Sequence, residues 1–245
     1  MHYRIINWNI ERHGPGSWQA ASLTGDIAVL KPDLVCLTEA WKQTLSQLDG
    51  YSVSAPGAAW SAQDPDERKV LLWSRRSWEN VEVAHELDSL GGCLTGLTTI
   101  GPDKVRIVGL CIPYQFASPL GQVSKAKQWE MHERFLCKLE PLLSKWSTER
   151  PMIVLGDFNR RMPRSWGPKK SYELLERVFE RLNIVTTGSL DNVDDRTVDH
   201  VAVSSQFNPS QVMGIPAESA DGRKRSDHFG VMVDCLYTGF QTRHF

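Results

Sequence analysis

MIVLGDFN, residues 152–159, is the stretch on which the reading of this chain turns. Four apolar residues closed by a glycine describe a buried strand that stops abruptly. Gly156 permits a tight turn, so Phe158 can pack inward while Asp157 and Asn159 both face the other side. A Gly-Asp-x-Asn turn alone is common at protein surfaces. Here it has company, because four other polar segments also sit at the ends of apolar runs. They are Asn9 with Glu11 in RIINWNIE, Glu39 closing DLVCLTE, Asp199 after DRTV, and Asp227-His228 in RSDHFGV. Carboxylates, carboxamides and an imidazole at strand ends are what a site needs to hold a hard divalent cation and orient a water.

The order of these segments carries a resemblance. WNIE, LTE, GDFN, an Asp ahead of an apolar strand, and SDH followed by a strand resemble the endonuclease/exonuclease/phosphatase superfamily from residue 4 to about residue 235. The resemblance implies an α/β fold in four layers: two packed mixed β-sheets flanked by helices, with the site at one end of the sheets. It implies Mg²⁺ or Mn²⁺ as cofactor, Glu39 as principal metal ligand, and Asn9 and Glu11 near the metal, with Asp227 either at the metal or a hydrogen-bond acceptor. Asp157 would position or deprotonate the attacking water, and Asn159 would donate to the phosphate or the metal shell. Two departures stand out. Cys111 in VRIVGLCIPY occupies a place where the family usually has His or Tyr touching the phosphate, and Arg68-Lys69 replaces a glycine ahead of the LLWS strand. Tyr114, three residues after Cys111, is the candidate to take over the contact.

The residues themselves support an acid–imidazole pair. Asp199 precedes the strand HVAV and His228 precedes GVMV. A carboxylate accepting from one ring nitrogen fixes the tautomer, leaving the other nitrogen for a phosphoryl oxygen or a general-base role. Alternation along the strand points His200 away from Asp199, which makes it a structural histidine. By the same alternation Asn9 and Glu11 share one side of their strand. Arg160, Arg161, Arg164, Lys169 and Lys170 follow GDFN, and Arg223, Lys224 and Arg225 precede SDH. Such runs often mark only a solvated face, but beside this site they can meet substrate phosphates. Trp41, Trp166 and Tyr114 lie in adjoining loops, where they can stack on bases or serve as half-buried packing.

Bulk properties bound the rest. A chain of 245 residues with 41% hydrophobic residues supports one large domain over residues 1–245. A formal charge of -1 gives no global footprint of a nucleic-acid binder and leaves only local patches. Five widely spaced cysteines without a CxxC fit a reducing compartment. With no secretory signal and no long apolar run, a cytoplasmic protein without membrane insertion is expected. No segment points to a protein partner.

Strand-like runs cover 4–10, 33–38, 69–74, 93–100, 105–112, 152–155, 198–204 and 230–236. Helical patterns cover Trp18–Leu30, Val123–Leu139 and Ser171–Leu182, with Pro141 expected to kink or end the second. Consecutive strands without helices between residues 69 and 112 argue for mixed sheets with hairpins. The expectation is metal-dependent hydrolysis of phosphoesters, first of all as a nuclease. The alternatives are a phosphatase or phosphodiesterase on a lipid headgroup or small molecule, and an inactive binding module.

Overall fold

A computed structural model of the chain describes residues 1–55, 64–88, 90–118 and 126–239. In chain order its elements are β1 (His2–Asn9), α1 (Trp18–Leu30), β2 (Leu34–Trp41), β3 (Tyr51–Ser54), β4 (Glu67–Ser74), β5 (Glu79–Val83) and α2 (His85–Asp88). There follow β6 (Gly92–Ile100), β7 (Asp103–Cys111), α3 (Glu130–Glu149), β8 (Met152–Asp157), α4 (Lys169–Val178), β9 (Asn183–Ile184), β10 (Asp199–Val203), β11 (Phe207–Ile215) and β12 (Gly230–Tyr237). The strands form two six-stranded sheets, ordered β11-β12-β1-β2-β4-β3 and β5-β6-β7-β8-β10-β9. Each is mixed. β1 runs parallel to β2 and β7 parallel to β8, while the other pairings are antiparallel.

Alternation along the central strands explains the layers. Tyr3 and Ile5 of β1 enter the core between the sheets, with Leu34, Leu72, Ile107, Ile153, Leu155 and Val201. Ile6 and Trp8 face the other way and pack with Leu23 and Ile27 of α1. The second sheet's outer face, including Val108 and Val154, is covered by Phe135 and Leu139 of α3 and Leu175 of α4. Helices therefore lie outside both sheets, giving the expected four layers. No helix among the described residues is long and apolar enough to cross a membrane.

α1 has the predicted ends. Ser17 Oγ accepts from Ala20 N at 3.1 Å, and Lys31 closes the helix in the left-handed region at φ +50°, just ahead of Pro32. α3 corrects two expectations. It begins at Glu130 (residues 123–125 lie outside the described part), and it runs through Pro141 to Glu149. Leu139, Leu143 and Trp146 are buried on either side of Pro141, so packing holds the helix together. The carbonyl that Pro141 leaves without its usual donor belongs to exposed Cys137, where water can serve it. β3, β5 and β11 were not predicted from the pattern, because they are edge strands with mostly exposed side chains.

Two polar contacts knit the sheets at one end. Asn7 Nδ2, on the inner face of β1, donates to Gly156 O at 2.9 Å and His200 O at 3.2 Å in the opposite sheet. Gly156 has φ +143°, and a Cβ there would lie 1.9 Å from Leu110 O. Gly156→Ala is therefore expected to cost about 3 kcal/mol or more and to lower the melting temperature sharply. A melting curve within a degree or two of wild type would contradict this account of the turn.

Candidate active site

The C-terminal ends of β1, β2, β7 and β8 and the N-terminal ends of β10 and β12 meet at that same end of the sandwich. Asp157, the last residue of β8, pairs in register with Cys111 of β7 and with Asp199 of β10. Its buried carboxylate is held by three donors. Oδ1 accepts from Asn159 N at 2.8 Å, and Oδ2 accepts from Asn159 Nδ2 at 3.0 Å and from Asn9 Nδ2 at 3.2 Å. The amide orientations follow from chemistry: Asn159 Nδ2 also meets Ile112 O at 2.9 Å, and Asn9 Oδ1 accepts from Glu11 N at 3.0 Å. Both amide hydrogens of Asn159 are thus committed, so Asn159 positions Asp157 and does not donate to substrate in this arrangement. Burial, with the neighbouring Asp199 charge, pushes the Asp157 pKa up to about 7.

Asp199 is buried and His228 is mostly so, and they form the predicted pair. His228 Nδ1 donates to Asp199 Oδ2 at 2.5 Å, while its Nε2 looks toward Asp227 Oδ1 at 3.9 Å. Burial works against charge on the ring, but Asp199, Asp157 and Asp227 outweigh it and raise the pKa to about 10. Burial raises the Asp199 pKa despite His228. The charged form of the ring is therefore favoured at neutral pH. The SDH loop is anchored onto the chain after β1: Ser226 Oγ donates to Asn9 O at 2.7 Å, Asp227 N to Glu11 Oε2 at 3.0 Å, and Trp8 Nε1 to His228 O at 3.0 Å.

Glu39 lies near the end of β2 at φ +49°, across from Lys69 of β4. Lys69 Nζ reaches its Oε1 at 3.1 Å and Arg12 Nε its Oε2 at 3.3 Å. Burial opposes the Glu39 carboxylate, but Lys69 and Arg12 outweigh it and hold its pKa below the ordinary value. Among the described residues nine non-glycines have positive φ, and four of them, Glu11, Arg12, Glu39 and Asn159, stand here. Backbone strain gathered at one place is a pointer toward a functional site. Two cavities flank the cluster. One of ≈ 240 Å³ is lined by Arg12, Glu39, Lys69, Cys111, Tyr114 and Asn159 among others. The other, of ≈ 120 Å³, is more open and is lined by Arg161, Arg196, Asp199, Asp227 and His228.

The donor set fits a hard divalent cation. Glu39, Asp157, Asp199 and Asp227 offer carboxylate oxygens whose charges act on one another, and Asp157, Asp199 and His228 each bring a potential ligand atom within 4.8 Å of the others. Asp199 Oδ1 is buried with no hydrogen-bond partner.

Several expectations are corrected. Glu11 does not continue β1 beside Asn9; it turns away at φ +52° and caps Asp227 N. Arg160 is buried, with its guanidinium 4.2 Å from the Trp129 ring and donating to Pro168 O, so it cannot reach substrate. Arg225 is buried against Asp26 and Pro216 O, and it too is structural. Trp41 Nε1 donates to Arg12 O at 2.8 Å and braces the loop after β1. Arg161 and Tyr114 line the two cavities and reach the surface, whereas exposed Trp166 packs on Trp129 and lines neither cavity. Sequence reading missed Phe116, exposed next to Tyr114, and Arg196, Arg12 and Lys69. The Arg68-Lys69 departure was the available signal for the last. His200 is structural in this fold: Nε2 donates to Arg160 O at 2.8 Å and Nδ1 meets Thr186 Oγ1 at 2.9 Å.

This is a two-sheet α/β sandwich with a carboxylate–imidazole cluster at one end. The sequence matches the Endonuclease/Exonuclease/phosphatase family over residues 6–228, and the chain belongs to that family. Its hydrolases act on phosphodiester bonds and generally depend on a divalent metal. No curated protein matches at a significant level. Among solved structures, the 3′ phosphatase NExo from Neisseria, bound to a product DNA hairpin, superposes with TM-score 0.72 at 14% identity, covering 96% of this chain and 100% of that one. D. rerio TDP2 complexed with a single strand DNA product gives 0.69 at 15% identity over 96% and 99%. The human Nocturnin catalytic domain with bound sulfate gives 0.67 at 17% over 97% and 94%. At these identities the likeness is one of fold.

Burial lowers the His200 pKa to about 4, so the fold favours its neutral form. The stability this contributes is complete above pH about 6.5 and is lost as pH falls toward 4, about 2 kcal/mol of it between pH 7 and 5. Asp157 shifts in the opposite sense, so the test is a difference between proteins. In urea titrations His200→Gln should be less destabilised by acidification than wild type by about that amount. Equal pH slopes would mean His200 is not a buried neutral ring.

Proposed function

We propose that this protein is a Mg²⁺- or Mn²⁺-dependent phosphodiesterase that hydrolyses nucleic acid. The observation that carries the reading is the His228–Asp199 pair, at 2.5 Å, beside buried Asp157 at the end of the sandwich that also holds Glu39. Glu39 and Asp227 are the carboxylates that would hold the metal at the mouth, while Asn9 and Glu11 keep Asp157 and Asp227 in place. Bound metal would supply Lewis-acid stabilisation of charge on the phosphoryl oxygens and the leaving group. Asp157, with its pKa near neutrality, accepts the proton of the attacking water, and Asn159 fixes its direction. The imidazolium of His228 donates from Nε2 to a phosphoryl oxygen as negative charge builds there, and Asp199 keeps that ring charged and aimed.

Support for a nucleic-acid substrate comes from Arg161 and Arg196 along the open side and from exposed Tyr114, with Phe116 beside it, at the other. Two neighbours in fold were solved with DNA products. The ≈ 240 Å³ cavity favours one second reading, a small phosphoester bound whole. Five cysteines with no CxxC pair, four of them buried, fit a cytoplasmic setting.

Assays with plasmid, single-stranded DNA, RNA, an abasic-site duplex and chromogenic mono- and bis-esters, in Mg²⁺, in Mn²⁺ and with chelator, decide between these substrates. Glu39→Gln is expected to lose more than about 100-fold in rate and to bind Mn²⁺ more weakly in calorimetry while remaining folded. Wild-type turnover in that variant would remove Glu39 from the metal site.

Asp199→Asn and His228→Ala are each expected to lose about 10²–10⁴ in rate, with the double variant little worse than either, because the two act as a unit. The pH–rate profile should be bell-shaped. Its acid limb lies at or below about 7 and its alkaline limb at or below about 10, since bound metal favours both the Asp157 carboxylate and the neutral His228 ring. Asp199→Asn should shift the alkaline limb to lower pH. Additive losses, or an unmoved limb, would break the pair apart.

A further inference from the structure

We infer that Tyr114 and Phe116 form a clamp for one unpaired nucleobase at the mouth of the site, so that the substrate is single-stranded nucleic acid. This rests on the nuclease reading and narrows its substrate. Both residues lie on the loop that follows β7, and both side chains are left to solvent, at 51% and 62% exposure. Neither ring packs into any of the three hydrophobic cores. The loop beneath them is nevertheless fixed, because all four carbonyls from Ile112 to Gln115 accept hydrogen bonds. Ile112 O accepts from Asn159 Nδ2 at 2.9 Å and Pro113 O from His132 Nδ1 at 2.9 Å. Tyr114 O accepts from Ala117 N at 3.0 Å and Gln115 O from Trp129 N at 2.8 Å. Two large rings held facing water on so well pinned a segment do nothing for the core, and exposed apolar surface of this kind marks a contact. Rings already in place also lose little conformational freedom when a partner arrives.

The nature of the partner follows from where the pair stands. Tyr114 lines the ≈ 240 Å³ cavity that also holds Glu39 and Asn159, so a group seated on the rings lies beside a phosphate at the acidic cluster. The ring centroids are 6.4 Å apart and the planes cross at 72°. That makes a corner, in which a flat group lies on one ring and meets the other with its rim. Every nucleobase has such a flat face, whatever the sequence. Ser118 stands on the same cavity wall, and its Oγ accepts from Ala126 N at 3.0 Å. Its hydroxyl hydrogen is left for an acceptor on a sugar or a base edge. In a duplex both faces of each internal base are covered by its neighbours, and freeing one costs about as much as one stacking contact returns. A strand already unpaired avoids that cost, and the clamp therefore selects for it.

The probe is a single-stranded oligothymidylate of about ten nucleotides, with phosphorothioate linkages that resist hydrolysis, followed by fluorescence anisotropy in Mg²⁺. Wild type is expected to bind it about tenfold or more tighter than a blunt duplex of the same length. Replacing one base at a time by an abasic spacer should reveal a position where wild type loses about tenfold. Tyr114→Leu with Phe116→Leu keeps apolar bulk without a ring. It should lose a similar factor on the intact strand and nothing further at that abasic position, since one contact cannot be lost twice. Tyr114→Phe with Phe116→Tyr keeps both rings and should bind as wild type does. Should the leucine variant melt early, Phe116→Leu alone, at the more exposed of the two, carries the same test. No binding of the strand, equal affinity for strand and duplex, or additive losses overturn the clamp. Wild-type affinity in the leucine variant overturns it as well, and leaves the rings for a protein surface. If nucleic acid is hydrolysed while the losses are additive, the nuclease reading survives without the clamp. Base-dependent binding by a protein that hydrolyses no ester would refute the hydrolase reading and leave the clamp standing.

Discussion

The carboxylate of Asp157 is enclosed where the two sheets meet, and the architecture of that end of the molecule follows from keeping it there. A buried carboxylate without donors costs several kcal/mol or gives up its charge. Here the donors come from both sheets: Asn9 from the end of β1, and Asn159 from the turn that follows β8 itself. That turn requires a residue without a side chain at 156, because Leu110 O fills the space a Cβ would need. Asn7, two residues before Asn9 on the same face, ties β1 to Gly156 O and His200 O in the other sheet. Three donors favour the charged form while burial and Asp199 oppose it. The resulting balance leaves the group near neutrality, where a proton acceptor for water is most useful.

The position of the site at this end is a consequence of how the chain crosses each sheet. β1 returns through α1 to the parallel neighbour β2, and β7 returns through α3 to β8. Parallel neighbours end on the same side, so each crossover delivers two strand ends to one rim. In both cases the second strand of the pair carries a carboxylate at or near that end, Glu39 on β2 and Asp157 on β8. Facing the two sheets across one core places those ends side by side. The antiparallel strands β10 and β12 begin at the same rim, which brings Asp199 and His228 to it from far along the chain.

What could be read from sequence follows the same physics. The central strands are buried on both faces and appear as nearly unbroken apolar runs, and polar residues that interrupt such runs at their ends mark the rim. Glu39, Asp157, Asn159, Asp199 and His228 were legible for that reason. The edge strands were not, because β5 reads Glu-Asn-Val-Glu-Val with only Val83 partly buried, too little burial to impose a pattern. Pro141 misled because a local rule was outweighed by the packing of Leu139, Leu143 and Trp146, which no local window weighs. Arg160 and Arg225 misled differently. A basic residue next to a site motif reads as a phosphate contact until a distant Trp129 or Asp26 is seen to claim it. Lys69 escaped for the converse reason, since its partner Glu39 is defined only by the register of β2 against β4.

Those misreadings change the electrostatic picture of the site. With Arg160 and Arg225 turned inward, the positive charge at the rim is concentrated in two places. Arg12 and Lys69 stand on the Glu39 side, and Arg161, Arg196 and the imidazolium of His228 stand on the other. Between them lie Asp157, Asp199 and Asp227, whose mutual repulsion is relieved in part by His228 and would be relieved further by a divalent cation. A phosphate approaching this rim meets cations on both flanks and acids at the centre. In the proposed reaction such a field would draw the phosphoryl oxygens outward to the flanks and leave the phosphorus facing the acids. A near-neutral chain can therefore bind a polyanion locally, without the overall basic charge that would advertise it.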